Sequence, residues 1–233
     1  MYTLHIGNKN YSSWSLRPWA LMSELGIAFE EVGHVFGPGF ARSIAGKSPT
    51  NRVPVLHHEG RVVWDSLAIV EYLADRHGGV WPTDANARAW ARCAAAEMHS
   101  SFQALRNTCG MNCGVRVKLN ALPDALKSDL ARVAALWTEG LQRFGGPFLA
   151  GREFGGVDAF FCPVAFRVQS YGLELPDAAA GYARRLLAAP SMRRWYEAAL
   201  AEPHRDAEHE VEIAQAGKIV QDLRVAVRAP ATS

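Results

Sequence analysis

Surplus charge of either sign is missing from this chain. Its 25 Lys and Arg stand against 23 Asp and Glu, a formal net charge of +2. No basic block comparable to a nucleic-acid tract occurs, so nucleic acid is excluded as the expected partner. The tail arginines Arg205, Arg224 and Arg228 are interleaved with acids and read as a solvated surface. Cysteine is scarce: Cys93, Cys109, Cys113 and Cys162 show neither a CxxC motif nor the paired spacing of a zinc site. His57-His58 has no carboxylate or cysteine at helical spacing to share a metal, so no metal is expected. No apolar run is long enough to span a bilayer. The start MYTLHIGNKN lacks the basic flank and apolar core of an export signal. A cytoplasmic protein with reduced thiols is the expectation. Gly46-Lys47-Ser48 would close a phosphate loop only with glycine at the place held by Ala41. GxSxG is absent too, which removes the context of a serine hydrolase.

What is present is a globular composition, 49% hydrophobic and 21% charged over 233 residues, ample for real cores. Residues 1–79 alternate short strand-like and helix-like pieces. Strands are expected over 3–6, 29–35, 53–57 and 61–64, with helices over 16–25 and 66–76, in the order β-α-β-(loop)-β-β-α. Gly26 stops the first helix, Gly37-Pro38-Gly39 forces a loop, and Glu59-Gly60 suits a tight hairpin. Leu67, Val70 and Leu73 recur on one helix face, widened by Ile69 and Tyr72. A linker over 77–84, His-Gly-Gly-Val-Trp-Pro-Thr-Asp, follows. Beyond it strand signals fade, and helices are expected over 85–105, 124–144, 157–171, 177–188 and 192–201. The fold class is therefore α/β plus all-α: residues 1–79 as one domain and 80–233 as an all-helical one. Residues 203–233 form a more polar C-terminal extension with a loose Ala-Pro-Ala-Thr-Ser tip.

Three places draw attention. The stretch Asn-Lys-Asn-Tyr-Ser-Ser-Trp-Ser-Leu-Arg-Pro over 8–18 crowds hydroxyls at the junction of the first strand and helix. Helix capping alone would explain them. Val53-Pro54 heads a strand, where Pro54 is either a plain strand start or a cis residue that leaves the Val53 backbone open to an extended peptide. Asp65-Ser66 opens a helix. It is either a simple N-cap or a receptor for an amino-acid head group, Asp65 taking the ammonium and Ser66 with the free amides the carboxylate.

Taken together, these places resemble the glutathione transferase family, as do RVPVLHHEGRVVWDSLAIVEYLADRHGGVWP and GGVDAFFCPVAF. The resemblance covers roughly residues 1–203 and implies a thioredoxin-like N-terminal domain that binds glutathione. By it, Val53 and Pro54 hold the cysteinyl backbone and Asp65 and Ser66 the γ-glutamyl group. Arg52, where Lys or Gln is common, approaches the glycyl carboxylate. SSWSLRPWAL is similar to the serine-type zeta and tau members, in which a serine activates the thiol. Counting back from Arg17 puts Ser12 on that position, with Ser13 the adjacent alternative. Trp14 falls where cysteine-type members carry cysteine, which argues against a mixed disulfide. Tyr11 is a further candidate, though tyrosine-type members place theirs nearer the strand. His99, Phe102 and Arg106 fall on one helix face that borders the electrophile pocket, together with Tyr11 and Trp14. Arg106 there either attracts an anionic substrate or makes a structural salt bridge.

Two departures stand out. Asp65 is one methylene shorter than the usual Glu or Gln, and Gly155 replaces the Ser or Thr that commonly caps the GGVDAFF helix. The resemblance implies a homodimer whose co-substrate is glutathione and whose partner is a small electrophile. The alternatives are a glutathione-dependent isomerase or peroxidase and, in another class, a non-catalytic binding protein of this fold.

Overall fold

Alternation along Tyr-Thr-Leu-His-Ile-Gly makes β1 (Tyr2–Gly7) a central strand, with Leu4 and Ile6 buried among helices and His5 on the opposite face. The structure, a computed structural model, describes residues 1–226. Arg228 and the Ala-Pro-Ala-Thr-Ser end thus lie outside the described residues. After β1 come α1 (Ser13–Glu24), β2 (Phe29–His34), α2 (Phe40–Ile44), β3 (Val55–His58), β4 (Arg61–Val63) and α3 (Ser66–Ala74). The sheet order is β2-β1-β3-β4. β1 runs parallel to β2, with Leu4 opposite Glu31, and a parallel pair needs a crossover, which α1 supplies. β3 is antiparallel to both neighbours, with Leu4 opposite Leu56 and Leu56 opposite Val63. Glu59 and Gly60, at φ 49° and 75°, make the tight hairpin.

The short helix α2 is an addition to the expected order, in a stretch expected to be loop. It is tethered by side chains: His34 Nδ1 lies 3.0 Å from Ser43 Oγ, and His57 Nε2 lies 2.7 Å from the Lys47 carbonyl. Gly7 has a packing reason, since a Cβ there would come within 2.3 Å of the Phe36 ring.

The second part holds α4 (Ala85–Ser100), α5 (Gln103–Thr108), β5 (Val115–Leu119), α6 (Asp124–Phe144), α7 (Gly156–Tyr171), α8 (Asp177–Ala188), α9 (Pro190–Ala201), α10 (Ala207–Ala216) and β6 (Gly217–Asp222). α7 is buried along nearly its whole length and packs on α1, α4 and α8. One apolar cluster runs from Leu4 and Leu16 through Phe160 to Trp137 and Trp195.

Three expectations need correction. The region beyond the linker is helical but not all-helical: β5 and β6 pair antiparallel, Leu119 opposite Gly217. The helix expected over 85–105 breaks, because Ser101 is extended and Phe102 left-handed (φ 62°, ψ 44°). His99, Phe102 and Arg106 therefore do not share one helix face. Arg224, expected on a solvated surface, is buried. Its guanidinium grips Glu210 at 2.6 and 2.9 Å and Asp222 at 2.7 and 2.9 Å, and it donates to the Tyr11 hydroxyl at 3.2 Å. The extension is thus tied back onto the start of α1.

Candidate functional site

The loop before α1 is a junction between the two parts. Asn10 Nδ2 donates to the Ala199 carbonyl and its Oδ1 accepts from Gly114 N at 3.2 Å. The Glu202 carboxylate accepts from Lys9 N at 2.7 Å and Asn10 N at 3.2 Å, and the Lys9 carbonyl accepts from Trp195 Nε1 at 2.8 Å. Asn8 Oδ1 accepts from Phe36 N at 2.8 Å. Every one of the three residues is spent on position, which fixes where the following serines stand.

Ser12 and Ser13 are nearly buried, at 5% and 6% exposure. Ser12 Oγ donates to Ser15 Oγ at 2.7 Å, and Ser15 Oγ also accepts from Gly7 N at 3.1 Å. The Ser13 hydroxyl has no partner among the described residues. The amides of Trp14 and Ser15, in the first turn of α1, have no carbonyl four residues back inside the helix to receive them. Hydroxyls and helix amides therefore converge where an anion would be stabilised.

Two cavities meet beside this point. One, of about 630 Å³, is lined by Trp14, Thr50, Arg52, Val53, Pro54, Trp64, Asp65 and Ser66. The other, of about 460 Å³, is walled by Tyr11, Ser12, Ser13, Trp14, Phe36, Phe40, Arg52, Val53, Arg106 and Arg167 among others. Trp14, Arg52 and Val53 belong to both. The Val53–Pro54 bond is cis. The β3 ladder starts at Val55, and the Val53 N–H and C=O have no hydrogen-bond partner among the described residues. Asp65 is the N-cap of α3: its Oδ1 accepts from Leu67 N at 2.9 Å and Ala68 N at 3.5 Å, while Oδ2 lies 3.2 Å from His99 Nε2. Oδ1 alone does the capping, and Oδ2 faces His99.

Of the pocket candidates, Tyr11, Trp14 and Arg106 reach the second cavity, whereas His99 and Phe102 line neither. The Tyr11 hydroxyl donates to Glu210 at 2.7 Å; burial, then that bond, raises its pKa. His99 packs edge-on to Trp14, and burial lowers its pKa, so it is neutral at pH 7. Arg106 makes no side-chain salt bridge among the described residues. Its guanidinium instead donates to the carbonyls of Met98, His99 and Ser101 at the end of α4. Arg106→Ala strips donors from these carbonyls, so a loss of about 1–3 kcal/mol in a thermal or urea melt is expected.

Sequence reasoning missed two contributors. Arg17 served only to set the register. It is fully buried, between the Trp14 and Phe160 rings at 4.1 and 4.8 Å, and Nη1 donates to Ser66 Oγ at 3.3 Å. With that oxygen already accepting, the Ser66 proton is free for a ligand. A lone arginine on the apolar face of Leu16, Trp19 and Ala20 was the available signal. The extension is the second: His209, stacked on Tyr11 and Phe36, and Glu212 complete the second cavity's wall. Nothing in its polar composition pointed there.

Residues 11–76 match the family model of the glutathione S-transferase N-terminal domain. Glutathione S-transferase 1 of Dianthus caryophyllus is 25% identical over 173 residues, 71% of this chain and 76% of the relative. Two solved structures superpose well. A glutathione transferase homolog from Burkholderia gl BGR1 with bound glutathione has a TM-score of 0.65 and 22% identity, over 85% of this chain and 97% of its own. A diazinon-metabolizing glutathione S-transferase of the silkworm Bombyx mori has a TM-score of 0.68 and 20% identity, again over 85% and 97%. The matched segment holds the serines of α1, Val53-Pro54 and Asp65-Ser66, the same residues that build the paired cavities. Residues 11–76 thus match the glutathione S-transferase N-terminal domain, and the chain as a whole shares the fold of these solved glutathione transferases.

Proposed function

We propose that the protein is a serine-type glutathione transferase that conjugates glutathione thiolate to a small electrophile. The observation that carries this reading is the meeting of two cavities at Trp14, Arg52 and Val53, with the α1 serines on the second of them. Glutathione occupies the larger cavity. Its γ-glutamyl carboxylate meets the Ser66 hydroxyl and the first amides of α3, and its ammonium meets Asp65 Oδ2. Its cysteinyl amide pairs with the free Val53 backbone, and its glycyl carboxylate faces Arg52. The glutathione bound to the Burkholderia relative supports this choice of ligand.

The thiol then points at the start of α1. A free thiol has a pKa near 8.5, so only a few per cent is ionised at pH 7. Lowering it by about two units requires about 2.7 kcal/mol, and one charge-assisted hydrogen bond contributes about 1.5–3 kcal/mol. Ser12 gives up its bond to Ser15 for one to sulfur. A charge-assisted bond is roughly twice as strong as a neutral one, so the exchange is favourable. Ser12 remains protonated; the thiolate attacks the electrophile in the second cavity.

Calorimetry with glutathione tests the binding half. Ser66→Ala is expected to weaken binding by about 1–3 kcal/mol, by leaving a carboxylate short of a donor, and wild-type affinity in that variant would remove Ser66 from the site. A rise in thiolate absorbance on adding glutathione to wild-type protein separates a transferase from a binding protein of this fold. The same reading makes the protein a cytoplasmic homodimer. The exposed Val62 and Trp64 beside the β4 edge are the surface that a partner would cover, and sedimentation at micromolar concentration tests it.

A further inference from the structure

Three guanidiniums gather behind and beside the second cavity, and among the described residues the hydrogen-bond partners of all three are uncharged groups. Arg17 donates to Ser66 and is near His99, Arg106 donates to backbone carbonyls, and Arg167 Nε donates to the Cys109 carbonyl at 2.8 Å. Arg167 is 4% exposed, yet its Nη1 has no partner among the described residues. Buried polar groups are almost always paired, and a guanidinium fork is shaped for a carboxylate. Burial first, then Arg106, pushes the Arg167 pKa down to about 10, and burial, then Arg106 and Arg167, pushes down that of Arg17. Asp65 offsets this at Arg17 and Asp129 at Arg106, but no carboxylate is among the groups that act on Arg167. Along the cavity wall Arg52, Arg106 and Arg167 are set against Glu212, the one carboxylate among the described lining residues.

Resting on the transferase reading above, we infer that the electrophile this site selects carries a carboxylate, which binds at Arg167. Ser12 and Ser13 line the same cavity, so an acid anchored at Arg167 presents its far end to the thiolate. A space of about 460 Å³ suits a single-ring or short-chain acid.

A matched pair of probes reads this out: 4-chloro-3-nitrobenzoate and 4-chloro-3-nitrobenzamide, alike in shape and different in charge. In either, the thiolate forms a C–S bond at the carbon bearing chlorine, the electron pair passes into the nitro-activated ring, and chloride leaves with the C–Cl pair. The thiol proton goes to solvent, and no oxidant or reductant is needed. Initial rates are measured at saturating glutathione, and equilibrium binding of each probe by calorimetry on protein filled with S-methylglutathione. Wild-type protein is expected to favour the benzoate about tenfold or more, the scale of one charge-assisted hydrogen bond. Arg167→Met should abolish the preference, bringing the benzoate-to-benzamide ratio to about one, and Arg167→Lys should restore part of it.

Equal binding of both probes by wild-type protein overturns the inference, and so does a preference that survives in Arg167→Met. If that variant does not fold, the wild-type comparison decides alone. Preferential binding without conjugation of either probe would keep the charge selection and remove the transferase reading. Equal binding and conjugation of both would do the reverse.

Discussion

Asp158→Ala is expected to destabilise the protein by about 3–5 kcal/mol, the cost of breaking a buried charged network from one side. Asp158 is fully buried near the start of α7. Its Oδ1 accepts from Leu149 N at 3.1 Å and the Tyr182 hydroxyl at 2.6 Å, and Oδ2 accepts from Gly155 N at 2.9 Å. Removing it strands three buried donors at once. It also answers the missing Ser or Thr at position 155. A Cβ there would come within 3.1 Å of the Val80 carbonyl, so the linker packs too closely for a side-chain cap. Asp158 makes the cap from the other side, reaching back to the Gly155 amide.

Burial pushes the Asp158 pKa up to about 6, against the three hydrogen bonds, which pull it down. The folded state therefore binds this proton more tightly than the unfolded chain does. Stability from this group is greatest below the unfolded value near 3.9 and falls as pH rises towards 6; above that it is flat. Asp158→Asn should remove that slope. It should cost less than Ala, since Oδ1 keeps two donors while the new amide faces Gly155 N–H. Urea denaturation at pH 4.5 and 7 measures both effects. An alanine variant within about 1 kcal/mol of wild type at pH 7 would show that the three donors find other partners.

Elements bounded by strong local signals were legible. α6 and α8 match the expected bounds, because an amphipathic period runs between Pro123 and Gly145 in one and after Pro176 in the other. The break at Phe102 was not legible. No glycine or proline marks it, and what holds it is tertiary: Arg106 takes the α4 carbonyls, and Leu105 N donates to Asp129 at 2.9 Å. β5 and β6 stayed hidden for a similar reason. Each is short, and the partner that makes it a strand lies about a hundred residues away in the chain. The lining of the first cavity was legible where a motif concentrates chemistry, at Val53-Pro54 and Asp65-Ser66. Its surroundings were illegible where tertiary packing sets a residue's place, as for buried Arg17 and Arg167 and for His209 stacked on Tyr11 and Phe36.

Ser12→Ala is expected to slow conjugation about 10–100-fold near neutral pH, the kinetic equivalent of one charge-assisted hydrogen bond to sulfur. Ser12 is the N-cap residue, so a thiolate beside its Oγ also lies before the unpaired amides of Trp14 and Ser15. Ser15, itself held by Gly7 N, keeps that hydroxyl in place until sulfur arrives. Removing the hydroxyl should raise the pKa of bound glutathione towards the free value near 8.5 and leave glutathione affinity largely intact. The rate deficit should therefore shrink as pH rises and the thiol ionises unaided. Ser13→Ala should have the smaller effect, although its hydroxyl has no partner in the protein, because it begins the helix one residue beyond the cap. The pH–rate profiles of the two variants decide. A shifted profile for Ser13→Ala with an unchanged one for Ser12→Ala would move the donor by one residue, to the hydroxyl that is already free. Unchanged profiles in both would leave the amides of α1 as the anion's sole support, and the serines as parts of the hydrogen-bonded junction that positions them.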